Sequence, residues 1–146
     1  MADLNYDVII LGAGAIGCEF ASFYSDMGAK VTIVEMLDRI LPVEDHEVSA
    51  FVQKQFEKQG MKILPKHGVE KLDVKPGRSV TATIKLPDGK TETQEFSHVI
   101  VAVGIVPNTE NIGLEPLGAP AADALGIDQL HLAVDGRQRG EALVEL

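Results

Sequence analysis

The chain has 146 residues, room for one ordinary domain that can bury a core of its own. Hydrophobic residues make up 45% and charged residues 24%, the balance of a soluble globular protein. With 13 Lys and Arg against 22 Asp and Glu, the formal net charge of −9 argues against nucleic acid or an anionic membrane as a partner, because phosphate contacts need a basic patch.

Residues 6–11 (YDVIIL) are a short apolar, β-branched run that stops at Gly12 and suits a strand buried on both faces of a parallel sheet. The period then changes. Ile16, Phe20, Phe23 or Tyr24, and Met27 recur at helical spacing, and Gly28 is placed to cap the helix. Residues 31–34 (VTIV) read as a second buried strand ending at Glu35. Strand, glycine turn, helix and strand make one βαβ unit with a right-handed crossover. After Pro42, the acids Glu44, Asp45 and Glu47 sit where a helix N-terminus favours negative charge. Val48, Phe51, Val52 and Phe56 form an apolar helical stripe, Gly60 caps it, and residues 61–64 (MKIL) return as a third strand.

The texture changes beyond that point. Residues 69–74, 79–86 and 91–96 predict an antiparallel meander, with turns at Pro76-Gly77 and Pro87-Asp88-Gly89. Residues 98–103 (HVIVAV) are one more buried strand, ended by Gly104. From Asn108 the chain is rich in Gly, Ala and Pro, with weak periodicity until residues 130–134. The expected fold class is α/β: a Rossmann-type doubly wound parallel sheet, helices on both faces, with an antiparallel β-meander.

Gly12-Ala13-Gly14-Ala15-Ile16-Gly17 is a G-x-G-x-x-G placed directly after a strand and at the start of a helix, the dinucleotide-binding arrangement. Gly12 makes the tight turn, Gly14 lets a pyrophosphate approach the backbone, and Gly17 lets the helix pack close to the sheet. The helix N-terminus, with Ala15 at its start, offers free N–H groups to the phosphates. Glu35 closes the second strand where a ribose-binding acid is expected. Such an acid accepts from the ribose hydroxyls and repels a 2′-phosphate, selecting NAD or FAD over NADP. The bland alternative is an unoccupied tight turn with a solvated strand-end acid.

Residues 12–35 (GAGAIGCEFASFYSDMGAKVTIVE), with the Ile40-Leu41-Pro42 turn, strongly resemble the NAD-binding domain of the dihydrolipoamide dehydrogenases, which are pyridine nucleotide–disulfide oxidoreductases. The likeness continues through Val101-Ala102-Val103-Gly104-Ile105-Val106-Pro107-Asn108 and Asn111-Ile112-Gly113-Leu114-Glu115, covering roughly residues 8–118. It favours NAD, since the family's flavin turn does not usually read Ala-Ile-Gly-Cys-Glu. The resemblance implies that Gly12, Gly14 and Gly17 cradle the pyrophosphate and that Ile16 and Glu19 lie beside the nicotinamide. It further implies that Glu35 holds the adenosine ribose, that the backbone at Val69 borders the adenine, and that Gly104 lets the chain pass close to the nicotinamide half.

The departures are specific. The family commonly has Arg near Val106. Residues 3–7 look more like the start of the family's flavin domain, and residues 134–139 resemble the approach to its return segment without the Gly-Asp that should follow. Residues 140–146 match nothing in the family pattern. This reads as a truncated or fused chain: an NAD(H)-binding domain over residues 1–118 and a tail, 119–146, resembling a remnant of the return to the flavin domain. The whole enzymes need FAD, a C-x₄-C redox disulfide and a His–Glu base pair. This chain has one cysteine and no such His–Glu segment, so a cofactor-binding module is expected rather than a working dehydrogenase, with the parent enzyme's flavin domain as its partner. A small FAD-binding protein and a non-binding scaffold are the alternatives.

The remaining residues read blandly. Cys18 is expected to be a small buried hydrophobe, and as the single cysteine it excludes an internal disulfide and a thiolate metal site. His46, His67, His98 and His131 are scattered without metal-ligand spacing, and no Ser-His-Asp or Walker-type pattern appears. The apolar runs are strand-sized, and residues 1–7 carry two acids and no Arg, unlike a signal peptide. A cytoplasmic location is expected.

Overall fold

The structure, a computed structural model, describes residues 6–105 together with Leu143–Val144. Its first unit is β1 (Asp7–Leu11), α1 (Ala15–Asp26) and β2 (Lys30–Glu35), followed by α2 (His46–Lys58) and β3 (Lys62–Pro65). Then come β4 (Gly68–Lys75), β5 (Ser79–Lys85), β6 (Thr91–Phe96), β7 (His98–Val101) and a two-residue β8 (Leu143–Val144). The main sheet runs β3-β2-β1-β7-β8, and β4-β5-β6 form a separate antiparallel sheet. β1 lies between β2 and β7, parallel to both, with Leu11 opposite Val34 on one side and Val101 on the other. β8 is antiparallel to β7. The sheet expected from the sequence forms, with strand ends displaced by a residue or two from their expected positions.

Alternation along the central strands divides the core into two. Val8, Ile10, Val31, Ile33 and Ile100 point to one face, where Cys18, Ala21, Phe20 and Tyr24 of α1 and Val52 and Phe56 of α2 cover them. Ile9, Leu11, Val34, Val99 and Val101 point to the other face, where Val80, Ala82, Ile84 and Phe96 of the meander close it. Among the described residues, then, both helices sit on one face and the second layer is a sheet. Helices on both faces were expected. The physical reason lies in β5, whose Val80, Ala82 and Ile84 are fully buried while the alternate threonines face outward. Such a strand supplies the apolar cover that a helix would otherwise give.

α2 also departs from its expected stripe. Val52 and Phe56 pack inward, but Val48 and Phe51 are exposed, and the fully buried residue of the helix is Ser49. Each helix ends on a pair of capping bonds of the Schellman type. Gly28 N–H reaches Ser25 O and Ala29 N–H reaches Tyr24 O, and Gly60 and Met61 repeat the pattern on Glu57 and Phe56. Asp45 caps α2 at its other end, its side chain accepting from Glu47 N–H at 2.7 Å. No helix among the described residues is long and apolar enough to cross a membrane.

Candidate functional site

At the end of β1 the chain turns at Gly12 with φ of 93°. A Cβ there would lie 2.4 Å from the Ala102 carbonyl oxygen, just past β7, so a side chain at this position would force the two strand ends apart. A Cβ on Gly17 would lie 2.0 Å from the Gly12 carbonyl oxygen, which shows how tightly α1 abuts the turn. Gly14 differs from both. Its backbone is extended, and a Cβ would meet nothing within 4 Å, leaving open space at the head of the helix. α1 has no side-chain cap and no acid in its first turn, so its leading N–H groups at Ala15, Ile16 and Gly17 have no competing carboxylate. That combination is suited to an anion.

Glu35 ends β2 and is 7% exposed. Its Oε2 accepts from Ala13 N–H at 2.7 Å and its Oε1 accepts from Leu37 N–H at 2.8 Å. A carboxylate so held has one further acceptor position on each oxygen, so it can also take hydroxyl donors. Beside it, His67 N–H donates to the Glu35 carbonyl at 3.0 Å and Lys66 N–H donates to that of Leu37 at 2.8 Å. These bonds bring the start of β4 alongside, so half-buried Val69, next to a β-bulge, stands two residues from the Glu35 contact. On the opposite side, Ala102 N–H donates to Leu11 O at 2.7 Å, which holds the chain leaving β7 against the glycine turn.

The carboxyl ends of β1 and β2 thus gather Gly12, Gly14, Ala15, Ile16, Gly17 and Glu35, with Ala102 beside the turn and Gly104 three residues beyond the end of β7. Glu19 lies one turn further along α1, sharing an exposed face with Ile16, opposite buried Gly17, Cys18 and Ala21. Val69 stands on the far side of Glu35.

Ala13 belongs to the cluster as well, although nothing in its residue type marks it. Its N–H is taken by Glu35, and its carbonyl accepts from Leu41 N–H at 2.7 Å and from the Cys18 thiol at 3.4 Å. No sequence signal marks this contact, since a residue before proline is expected to be extended. Leu41 has φ of 47°, left-handed for a residue with a side chain. Cys18 itself is buried, and its thiol is pushed up to about 11, first by burial and then by the Glu35 carboxylate, against a smaller opposing effect of the Leu41 backbone. It stays a neutral thiol at physiological pH.

The histidines lie apart from this cluster. His67 Nδ1 is 2.7 Å from Pro65 O, His98 Nδ1 is 3.0 Å from Ser97 Oγ, and His46 opens α2. His131 lies outside the described residues, as do Val106, the tail segment 119–142 and the motif at 111–115.

Comparison with known proteins follows the same lines. The family described as pyridine nucleotide-disulphide oxidoreductase matches residues 2–131. The dihydrolipoyl dehydrogenase of Zymomonas mobilis is 49% identical over 129 residues, covering 88% of this chain and 26% of that enzyme. LpdA of Mycobacterium tuberculosis superposes with a TM-score of 0.63 at 32% identity, over 77% of this chain and 24% of its own. An NAD-dependent persulfide reductase of A. fulgidus gives 0.63 at 30% identity, over 77% and 20%. The chain spans about a quarter of the length of the curated relatives it matches. With the family match running over most of its length, the chain belongs to the pyridine nucleotide-disulphide oxidoreductases and resembles dihydrolipoyl dehydrogenase.

Proposed function

We propose that this chain is an NAD(H)-binding domain of a dihydrolipoyl dehydrogenase-like flavoprotein, and that it positions the nicotinamide for hydride exchange with a flavin held elsewhere. The observation that carries the reading is Glu35: a buried carboxylate at the end of β2, fixed against the glycine turn with acceptor capacity left on both oxygens. The open space at Gly14 and the uncapped start of α1 fit a pyrophosphate. Glu35 fits the adenosine ribose, the backbone near Val69 borders the adenine, and Ile16, Glu19 and Gly104 lie along the nicotinamide half. The NAD-dependent persulfide reductase among the similar proteins supports the choice of nucleotide.

When bound, NAD⁺ or NADH supplies the hydride chemistry; the chain supplies orientation and charge. Residues 1–118 form the binding domain in this proposal, with 119–146 as the tail resembling a return to a flavin domain. The natural setting is a cytoplasmic flavoprotein. Residues for the disulfide half of the family reaction are not among the chain's own, since it has a single cysteine.

Calorimetric titrations with NADH, NADPH and FAD in one buffer test the reading. NADH is expected to bind, with NADPH much weaker because its 2′-phosphate meets the Glu35 carboxylate. FAD binding with none of NADH would assign the turn to flavin. No binding of any of the three would leave a scaffold.

A further inference from the structure

The loop between β2 and α2 does more than connect them. Three consecutive links run from α2 to the glycine turn. The Ser49 hydroxyl, on a residue 1% exposed, donates to the Ile40 carbonyl. Ile40 is itself fully buried in the helix-side core, which pins the loop. The next residue, Leu41, donates its N–H to the Ala13 carbonyl at 2.7 Å, and its φ of 47° turns the following chain away from the site. Outside this chain of contacts, Arg39 donates to Pro42 O at 2.8 Å and closes the loop on itself.

A left-handed leucine is costly and persists only where its surroundings impose it, and such residues concentrate at functional positions. We propose that Ser49 and Leu41 are positioning residues: together they brace the Ala13 peptide, and so hold the glycine turn in the shape that receives a dinucleotide phosphate. The inference rests on the NAD(H) reading for its ligand, but not for its mechanics. Ser49 touches no part of the candidate site, and in sequence it reads as an ordinary polar residue of a helix.

The carbonyl of Ala13 faces one side of the brace and its N–H faces Glu35 on the other. Losing the Leu41 bond frees the Ala13–Gly14 peptide to rotate, which re-aims the Gly14 N–H directly and loosens the preceding Gly12–Ala13 peptide, whose N–H Glu35 holds. Losing the Ser49 hydroxyl leaves the Ile40 carbonyl buried without its donor, so the loop must shift to find one.

Two pairs of measurements test this on the whole chain. Amide exchange followed by ¹H–¹⁵N spectra is expected to accelerate roughly tenfold at Leu41 and Ala13 in Ser49→Ala, with the last turn of α2 unchanged. NADH affinity should fall about threefold to tenfold alongside. The second pair separates backbone shape from packing. Leu41→Asn tolerates the left-handed conformation but loses apolar contact; Leu41→Val keeps apolar character but disfavours it. The brace requires that Asn preserve the Ala13 amide signal and NADH affinity despite a lower melting temperature, and that Val disturb both. A purely structural role gives the reverse order, with Asn the more damaging in every readout. Unchanged Ala13 and Leu41 amides in Ser49→Ala and Leu41→Val overturn the proposal, as does a disturbed Ala13 amide with unaltered NADH affinity. If the wild-type chain ignores NADH, the NAD(H) reading fails and the amide signals alone decide the brace.

Discussion

The Glu35 carboxylate accepts the Ala13 N–H at 2.7 Å, across 22 residues of chain, so the strand-end acid and the glycine turn form one unit. The second oxygen holds Leu37 N–H at 2.8 Å, which fixes the exit of β2 as well. Glu35→Ala removes a charged acceptor from two buried or half-buried donors. It is expected to cost on the order of 1.5–3 kcal/mol in stability without nucleotide, and a similar amount in NADH affinity. Glu35→Gln keeps one acceptor oxygen but turns an amide NH₂ toward the other donor, so it should not restore the wild type. Denaturant melts of the three proteins and NADH titrations check this. An alanine variant as stable as the wild type would mean that the two backbone bonds carry no net weight.

The three glycines of the turn separate by their surroundings. Gly12→Ala places a Cβ 2.4 Å from a backbone oxygen at a φ of 93°, and Gly17→Ala places one 2.0 Å from another. Neither backbone atom can yield cheaply, so both variants are expected to lose several kcal/mol or fail to fold, about 1–3 kcal/mol from backbone strain alone at Gly12. Gly14→Ala meets nothing within 4 Å and has an unstrained backbone. It should melt within a few degrees of the wild type and lose NADH affinity, because the methyl occupies the phosphate approach. Normal NADH affinity in a folded Gly14→Ala chain would remove the pyrophosphate from that space.

Cys18 makes stability depend on pH at the alkaline end. Its thiol rises from 9.0 to about 11 on folding, first through burial and then through the nearby Glu35 carboxylate. A raised folded value means that the native state holds the proton longer than the unfolded chain does. The resulting stability is fully present below pH 9 and is lost as pH climbs towards 11, about 2–3 kcal/mol in all. Wild type and Cys18→Ala should therefore converge in stability, or cross, between pH 9 and pH 11. Parallel pH profiles would place the thiol in an ordinary environment. Alkylation of the folded chain at pH 8 should also be slow, since only the thiolate reacts.

The strands and the glycine turn were legible because their causes are local. Residues 8–11 and 31–34 are apolar without alternation, as strands covered on both faces must be, and G-x-G-x-x-G follows the first of them directly. What covers each face was not legible. The meander's inward side, Val80, Ala82 and Ile84, predicts an amphipathic sheet, but only the tertiary arrangement decides that it packs on the β1 face opposite α1. The Glu35 clasp was half legible: the acid's position follows from the strand end, whereas its Ala13 partner depends on how closely β1 and β2 align. Ser49 gave no signal at all, because a buried serine hydroxyl serving a loop carbonyl has the same one-letter pattern as an exposed one.

The misread face of α2 gives a direct comparison between two phenylalanines on one helix. In sequence, Val48, Phe51, Val52 and Phe56 look like a single stripe, but a stripe of that width spans more of the helix than the sheet beneath can cover. The helix settles with Phe56 and Val52 packed on the helix-side core, leaving Phe51 64% exposed and Val48 49% exposed. Phe51→Ser is therefore expected to change the melting temperature by no more than a degree or two, since it gives up little buried area. Phe56→Ala removes a side chain that packs on the helix-side core while leaving its backbone carbonyl to the capping bonds of Gln59 and Met61, and it should cost on the order of 2–4 kcal/mol. Paired denaturant melts decide the matter. Equal losses at the two positions would mean that α2 is rotated so that the original stripe faces the sheet, and Ser49 would then lose its place beneath the Ile40 carbonyl.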